Sequence, residues 1–576
     1  MEDLHTDYYL DNFNFLLDFV AARYDDILSP EELKYRQIFQ AFSKDSQRLY
    51  VRLYSRKGSY FRLDKISYEE IENLNDASHE LLASHFLSIP VDPDAFSLLS
   101  LLTKQELIEI YGGVNKSSYR KIRRGALSNI LLEQYTVAEI VDHLPFKVIE
   151  PLGTDFVTVY KLLFFGNLHQ DFTEFVLRDI GLTPFENYSL DSSGRYFEKR
   201  NLLERTLASY ELEASCYKVL EEGDLDSLKD FSHDYLLRPA LLKSDKEAPD
   251  KTLGEHLLNN SENTTRLNTR VNGIYNRVAR EFERYNCESL ALALYEKNDF
   301  PPSRERQARI HVKLNNVENA LSICKKLYLH SDSEAETNFA DSFARRLMKK
   351  LKISNDWLPA VLGETFQTEV LVLDEELDIR RMEGLGVEAL VVANIEKTGH
   401  KAFYVENSLI PGLFGLYFWD IIFAPIKGVF FNPFQRGPVD LFTPEFLKAR
   451  SNTIQQQMEA MLNDGFFHQT VRDIYDQKFG IANYFVNWSW LNQELLEISI
   501  ERISLIDLHS MFTRLLKDLR QNCSGFPDLI YFPKEGGYRF SEVKGPGDKL
   551  QESQRRWFRY FDAHKIPAEI VNVSWS

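Results

Sequence analysis

The stretch Gly525 to Leu550, GFPDLIYFPKEGGYRFSEVKGPGDKL, decides how the rest of this 576-residue chain is read. DLIYF (528–532) and YRFSEV (538–543) are rich in β-branched and aromatic residues, and the PKEGG between them consists of turn-formers. A hairpin follows. If the turn is centred near Glu535, antiparallel partners carry numbers summing to about 1070, which sets Asp528 opposite Glu542; a bulge at the two glycines would shift that register by one. Two facing carboxylates repel, so a sequence that specifies them calls for a cation between them or a displaced pKa, and a divalent metal is the economical answer. Lys544 shares a face with Glu542 and joins the same site.

Length and composition bound the remainder. A chain of 576 residues predicts about three or four domains. Hydrophobic residues at 44% and aromatics at 13% argue for packed cores and against long disordered tracts. Cys216, Cys287, Cys324 and Cys523 are too few and too scattered for a disulfide framework or a CxxC zinc site. With no basic-then-apolar leader in MEDLHTDYYL, this predicts an intracellular protein, in the nucleoid or cytoplasm of a bacterium or the nucleus of a eukaryote. The most apolar run, Asn407–Trp419 and the IIFAPI beyond Asp420, is interrupted by Pro411 and glycines. It predicts a buried helix and not a membrane span, with Asp420 a buried, hydrogen-bonded acid.

The net charge of −18 weighs against nucleic-acid binding, but clustering matters more than the total. KSSYRKIRR (116–124) carries Lys116, Arg120, Lys121, Arg123 and Arg124 with no acid. A second cluster, Arg52, Arg56, Lys57, Arg62 and Lys65, is interleaved with Tyr54, Tyr60 and Phe61. Both are candidate phosphate-contacting segments, with a solvated face as the ordinary alternative for the cations and core packing for the aromatics.

Along the chain, residues 8–24 have helical apolar spacing and Ser29-Pro30-Glu31-Glu32 reads as the cap of the next helix. SLLSLLTKQELIEIYGG starts a helix at the capping box Thr103–Glu106 and stops it at Gly112-Gly113, and a second helix is expected over 117–133. This pair resembles a SAP-type DNA-binding motif near 96–135, in an N-terminal DNA-binding region 1–242. KSDKEAPDKT (243–252) reads as a linker. NCESLALALYEKN and NVENALSICKKLY, about 30 residues apart, come close to the 34-residue tetratricopeptide period and predict a helical-repeat domain over 253–370. Beyond it the pattern turns to strands (EVLVLD, ALVVANIE, KAFYVE), helices and the hairpin, giving a third domain, 371–576. The expected fold class is multidomain α+β, with a largely helical N-terminal part and a C-terminal α/β domain.

Asp528, thirteen residues, then Glu542-Val543-Lys544 is the PD-(D/E)xK spacing, with Pro527 before the Asp. An amphipathic helix entered through Gly-Pro-Gly and a final strand follow, and the EVKGPxDxLxxxQxxW string includes Gln554 and Trp557. Residues 525–573 resemble the VRR-NUC nuclease domain. VENSLIPGLFGLYFWDIIF with PVDLF, and YYLDNF with LYVRLYSRKGSYFRL, are similar to the Fanconi-associated nuclease family; a form without the zinc-finger extension of animal members is the expectation.

That resemblance implies a metal-dependent, structure-selective DNA nuclease acting on 5′ flaps and as a 5′ to 3′ exonuclease in interstrand crosslink repair. It implies Mg2+ or Mn2+ held by Glu406, Asp528, Glu542 and the carbonyl of Val543, with Lys544 catalytic and Gln554 hydrogen-bonding in the site. Branched or flapped DNA is the expected partner, and no membrane. A junction-resolving endonuclease and a catalytically silent repair scaffold are the competing readings; the intact Asp528, Glu542 and Lys544 speak against the second.

Overall fold

The structure is a computed structural model that describes residues 5–170, 184–237, 253–257, 265–331, 333–354, 357–359, 366–373, 386–463 and 465–575. The linker expected at 243–252 lies outside them. The chain divides into two compact units, Met1–Leu182 with Phe197–Arg200, and Thr183–Tyr196 with Asn201–Ser576.

The first unit is helical around a short three-stranded sheet. Strands β1 (Phe61–Arg62) and β2 (Leu87–Ser88) flank β3 (Val148–Pro151), each antiparallel to it. Helix Tyr8–Tyr24 buries Phe13, Leu16, Leu17 and Val20, the 3.6-residue stripe read from sequence. Ser29 and Thr103 each form a complete capping box, with Glu32 and Glu106 respectively.

The continuous helix expected over 117–133 is broken into Lys116–Tyr119 and Arg124–Gln134. Arg123 between them is extended (φ −66°, ψ 148°). The next residue turns its guanidinium onto the carbonyls of Ser100 and Leu102, 2.8 and 3.0 Å away. The chain thus leaves the helix to cap the end of helix Ala95–Ser100.

In the second unit, helices Arg200–Glu222 and Leu225–Tyr235 share one core with Thr265–Arg284 and Glu288–Tyr295: Leu212, Cys216, Leu228 and Phe231 pack with Val271, Val278 and Leu294. The compact division therefore falls near 183–200, earlier than the boundary read at 242, because these two helices bury their apolar faces against the helical array. Helices Ser303–Lys313, Val317–His330 and Glu334–Leu351 continue it, each packed on the one before.

The C-terminal sheet has the order β4 (Thr368–Leu373), β8 (Ala568–Trp575), β7 (Arg539–Lys544), β6 (Leu529–Phe532), β5 (Lys401–Tyr404). β4 and β7 run parallel to β8, while β6 is antiparallel to β7 and β5 to β6. ALVVANIE, expected as a strand, is part of the helix Val387–Lys397. Its β-branched residues suit a strand, but Leu390 and Val391 fall on one helical face and pack on Leu529, Val543 and Val571 of the sheet. The other face carries helix Glu552–His564, with Phe561 stacked on Phe540 at 5.5 Å. Between β5 and β6 the chain inserts a helical layer. It includes Leu409–Tyr417, every residue of which is buried, so the apolar run forms a core helix as read; Asp420 beyond it is exposed, not buried. Among the described residues no helix is long and apolar enough to cross a membrane.

Candidate active site

The hairpin pairs Leu529 with Ser541, Ile530 with Phe540 and Tyr531 with Arg539, a constant sum of 1070. Gly536 and Gly537, both at positive φ (113° and 75°), make the turn without disturbing that register. Asp528 stands one residue ahead of β6 and Glu542 lies within β7, on the face shared with Phe540 and Lys544.

Asp528 is 8% exposed and Glu542 0%. One oxygen of Asp528 accepts the Val543 N–H at 2.8 Å. The backbone carbonyl of Asp528 takes the Val405 N–H at 2.8 Å, tying the start of β6 to the end of β5. Glu542 Oε1 is 2.6 Å from Lys544 Nζ and accepts from Gln554 Nε2 at 2.5 Å. Gln554 Oε1 in turn accepts from Lys544 Nζ at 3.3 Å and from the Gln551 N–H at 2.8 Å. A residue in the first turn of helix Glu552–His564 thereby holds both members of the acid–base pair.

Burial is the main force on both carboxyls. It pushes Asp528 up to about 6, with Glu406 and Glu388 adding to it and the Val543 N–H and Lys544 opposing. It pushes Glu542 up to about 8, assisted by the charge of Asp528 and opposed by Lys544. The pair titrates as one coupled system.

Glu406 is exposed and accepts a 2.5 Å hydrogen bond from the Tyr404 hydroxyl and a 3.3 Å one from Asn407 Nδ2. Asn407, at φ 50°, also accepts the Phe526 N–H at 3.1 Å, linking this segment to the loop before Asp528. Among the described residues no three His, Cys, Asp or Glu side chains are gathered closely enough to hold a metal as they stand. The donor set nonetheless fits a divalent cation. Glu542 Oε2 is buried with no hydrogen-bond partner, an acceptor left over for something positive, and two carboxylates held above their ordinary pKa regain their ionised form when a hard cation joins them. Val543 brings its backbone to the same point from β7.

Sequence reasoning missed Glu388 and Tyr404. Glu388 lies in the first turn of the helix Val387–Lys397, one residue ahead of the segment expected as a strand, so no signal pointed to it. Tyr404 could have been found two residues before Glu406 at strand spacing.

In the first unit, Arg56, Lys57, Lys116, Arg120, Lys121 and Arg123 are exposed at the surface. Arg52 is committed to the fold: it donates to Glu70 at 2.6 Å and lies 3.9 Å from the ring centroid of Tyr9. Arg124 likewise commits its donors to backbone carbonyls. Of the interleaved aromatics, Phe61 is buried.

The profile described as the VRR-NUC domain matches residues 463–575, and that described as "FAN1, HTH domain" matches residues 7–88. β4, β5 and helix Val387–Lys397 lie outside the first match yet complete its sheet. A Fanconi-associated nuclease 1 homolog of Pseudomonas aeruginosa is 30% identical over 99% of this chain and 96% of its own length. One of Arabidopsis thaliana is 27% identical over 98% of this chain and 66% of its own length. The solved structure of paFAN1 bound to 2nt 5′ flap DNA with a gap covers 100% of both chains with TM-score 0.82 and 29% identity. That of paFAN1 with 1nt 5′ flap DNA and a gap gives 0.80 and 28% over 99% of this chain. A site of the PD-(D/E)xK type on a chain alike from end to end to such a relative leaves one assignment: this chain belongs to the Fanconi-associated nuclease 1 family.

Proposed function

We propose that this chain is a divalent-metal-dependent, structure-selective DNA nuclease that hydrolyses phosphodiester bonds at 5′ flaps, with 5′ to 3′ exonuclease activity from the same site and a role in interstrand crosslink repair. The observation that carries the reading is the buried Asp528–Glu542 pair, with the orphaned Glu542 Oε2 and Lys544 beside it, in a chain similar over its whole length to a flap-bound relative.

Asp528 and Glu542, with the Val543 carbonyl and Glu406, are the residues that would hold Mg2+ or Mn2+, ions that take oxygen ligands. Such an ion, when bound, supplies Lewis acidity at the phosphate and lowers the pKa of the attacking water. Lys544, fixed by Glu542 and Gln554, presents an ammonium to the negative charge that grows on the phosphate in the transition state, where a preorganised donor is worth most. Gln554 is a positioning residue: it orients Lys544 and Glu542 through one amide. The Val543 N–H fixes the Asp528 carboxylate and leaves its second oxygen for the cation. In the first unit, the surface cations of 116–123 and Arg56 and Lys57 are read as phosphate contacts.

End-labelled 5′-flap, 3′-flap and four-way-junction DNA, incubated with the protein in Mn2+, in Mg2+ and in EDTA, tests this reading. Cation-dependent incision of the 5′ flap ahead of the other two is the expected result. Symmetric cutting of the junction ahead of the flap would replace it with junction resolution, and no cutting in either cation would leave the scaffold reading.

A further inference from the structure

One large aromatic stands outside the protein interior beside this site. Trp490 is 48% exposed, and among the described residues the one aromatic ring it meets is Tyr404, 5.3 Å between centroids at 56°. The hydroxyl of that same Tyr404 binds Glu406. An exposed indole thus lies one ring away from a carboxylate of the proposed metal centre.

Its position is fixed. The N–H groups of Trp490 and Leu491 both donate to the Asn487 carbonyl, at 3.1 and 3.0 Å. Ser489 N–H donates to the Asn487 side chain at 3.1 Å. Leu491 is buried in the core, and Asn492 caps the helix Gln493–Arg502 through the Leu495 N–H at 2.9 Å. A large apolar side chain left in solvent is here held on a turn pinned from both sides, the arrangement expected of a preorganised contact and not of a loosely tolerated surface residue.

The chemistry of the occupant follows from the site it adjoins. A phosphate brought to Asp528, Glu542 and Glu406 carries a nucleoside on each side, and a base so placed offers a flat π-face to an exposed indole. We propose that Trp490 is a stacking platform for the nucleobase next to the scissile phosphate, setting which phosphodiester of a strand is presented for cutting; this rests on the nuclease reading above. Stacking tolerates every base, because each has a π-face, so the platform positions the strand without reading its sequence.

The test uses the full chain and a gapped 5′-flap DNA whose cut site has been mapped with the parent protein. Trp490→Ala, Trp490→Phe and DNA made abasic in turn at each nucleotide flanking the cut are compared in single-turnover cleavage, together with Mn2+ affinity by calorimetry. Trp490→Ala is expected to lose about five- to 150-fold in the single-turnover rate with enzyme in excess of DNA but below saturation, the equivalent of about 1–3 kcal/mol for one stacked base. Trp490→Phe should recover most of it. One of the two abasic substrates should lower the parent to the same degree and have no further effect on Trp490→Ala, since the partner ring is already gone. Mn2+ affinity should be unchanged in the variant.

Parental cleavage by Trp490→Ala, or losses from variant and abasic DNA that multiply, would overturn the platform while leaving the nuclease reading intact. A fall in Mn2+ affinity that accounts for the lower rate would also overturn it, making Trp490 a support for Tyr404 and Glu406. The abasic comparison in the parent needs no variant and stands even if a substituted protein misfolds. Failure of the parent to cut unmodified flap DNA would overturn both.

Discussion

Glu542→Gln removes a charge from a side chain that is 0% exposed while keeping its shape between Lys544 and Gln554. Without metal, burial and the Asp528 charge raise this carboxyl from its ordinary 4.5 to about 8, so the folded state keeps a proton that the unfolded chain has released. A group raised in this way contributes its full stability below the unfolded value and loses it as pH climbs through the folded one. The metal-free parent should therefore lose stability between about pH 4.5 and 8. The ion pair with Lys544 at 2.6 Å opposes the shift and is already counted, because the carboxyl stands raised in spite of it. Each pH unit in the window costs up to about 1.4 kcal/mol. Allowing that Asp528 titrates with it and shares the cost, roughly half the nominal sum remains, on the order of 2 kcal/mol by pH 8. Glu542→Gln lacks this slope. In EDTA its midpoint should match the parent near pH 5 and exceed it at pH 8 by about 3–5 °C, the size of shift that such a free energy produces in a large unit. Differential scanning calorimetry from pH 5 to 8 reads it, on the transition that Mn2+ raises in the parent. With excess Mn2+ the order reverses, since only the parent gains from a ligand that binds its native carboxylates. Parallel pH profiles for the two proteins in EDTA, or an undiminished Mn2+ gain in the variant, would refute the reasoning.

Lys544→Ala should lower the cleavage rate by about 10²–10³-fold, the usual loss for one preorganised charge donor, with DNA affinity within about threefold by fluorescence anisotropy. Tyr404→Phe removes the hydroxyl that holds Glu406 and should weaken Mn2+ binding about tenfold by calorimetry, the low end for an outer partner because Glu406 is exposed; unchanged affinity would take Glu406 out of the ligand set. Changing Lys116, Arg120, Lys121 and Arg123 to Gln should flatten the salt dependence of duplex binding, by up to about 0.9 in log–log slope for every phosphate that the variant no longer neutralises. Arg124→Gln, by contrast, should lower the thermal midpoint and leave the slope alone, since its guanidinium is committed to the carbonyls of Ser100 and Leu102.

The hairpin was legible because every constraint on it is local. Alternation sets which residues share a face, the PKEGG turn sets the register, and the two together bring Asp528 to Glu542 without knowledge of the rest of the fold. Capping boxes at Ser29 and Thr103 were legible for the same reason, each being an exchange of hydrogen bonds between residues three apart. Where tertiary contact decides, the sequence misled. VEALVVANIEK is rich in β-branched residues, and only the sheet under Leu390 and Val391 selects its helical period. Charge counting likewise could not show that half-buried Arg52 is held by Glu70 and Tyr9, or that exposed Arg124 donates to backbone carbonyls, because those partners lie far off in the chain.

The site outside the hairpin was hidden by topology. β5 and β6 are neighbours in the sheet, yet the chain between Tyr404 and Leu529 is a helical layer whose core runs on into Ile530 and Phe532 of β6 and Phe540 of β7. That insertion is what carries Trp490 back to Tyr404 and leaves it exposed beside Glu406. The PD-(D/E)xK hairpin supplies carboxylates and a lysine from two strands, while the aromatic surface on which a base is proposed to lie comes from outside it. In this chain the insertion between two adjacent strands supplies that surface, so the hairpin carboxylates proposed to hold the metal are written in local sequence and the part proposed to position the strand is written in how the inserted layer folds back.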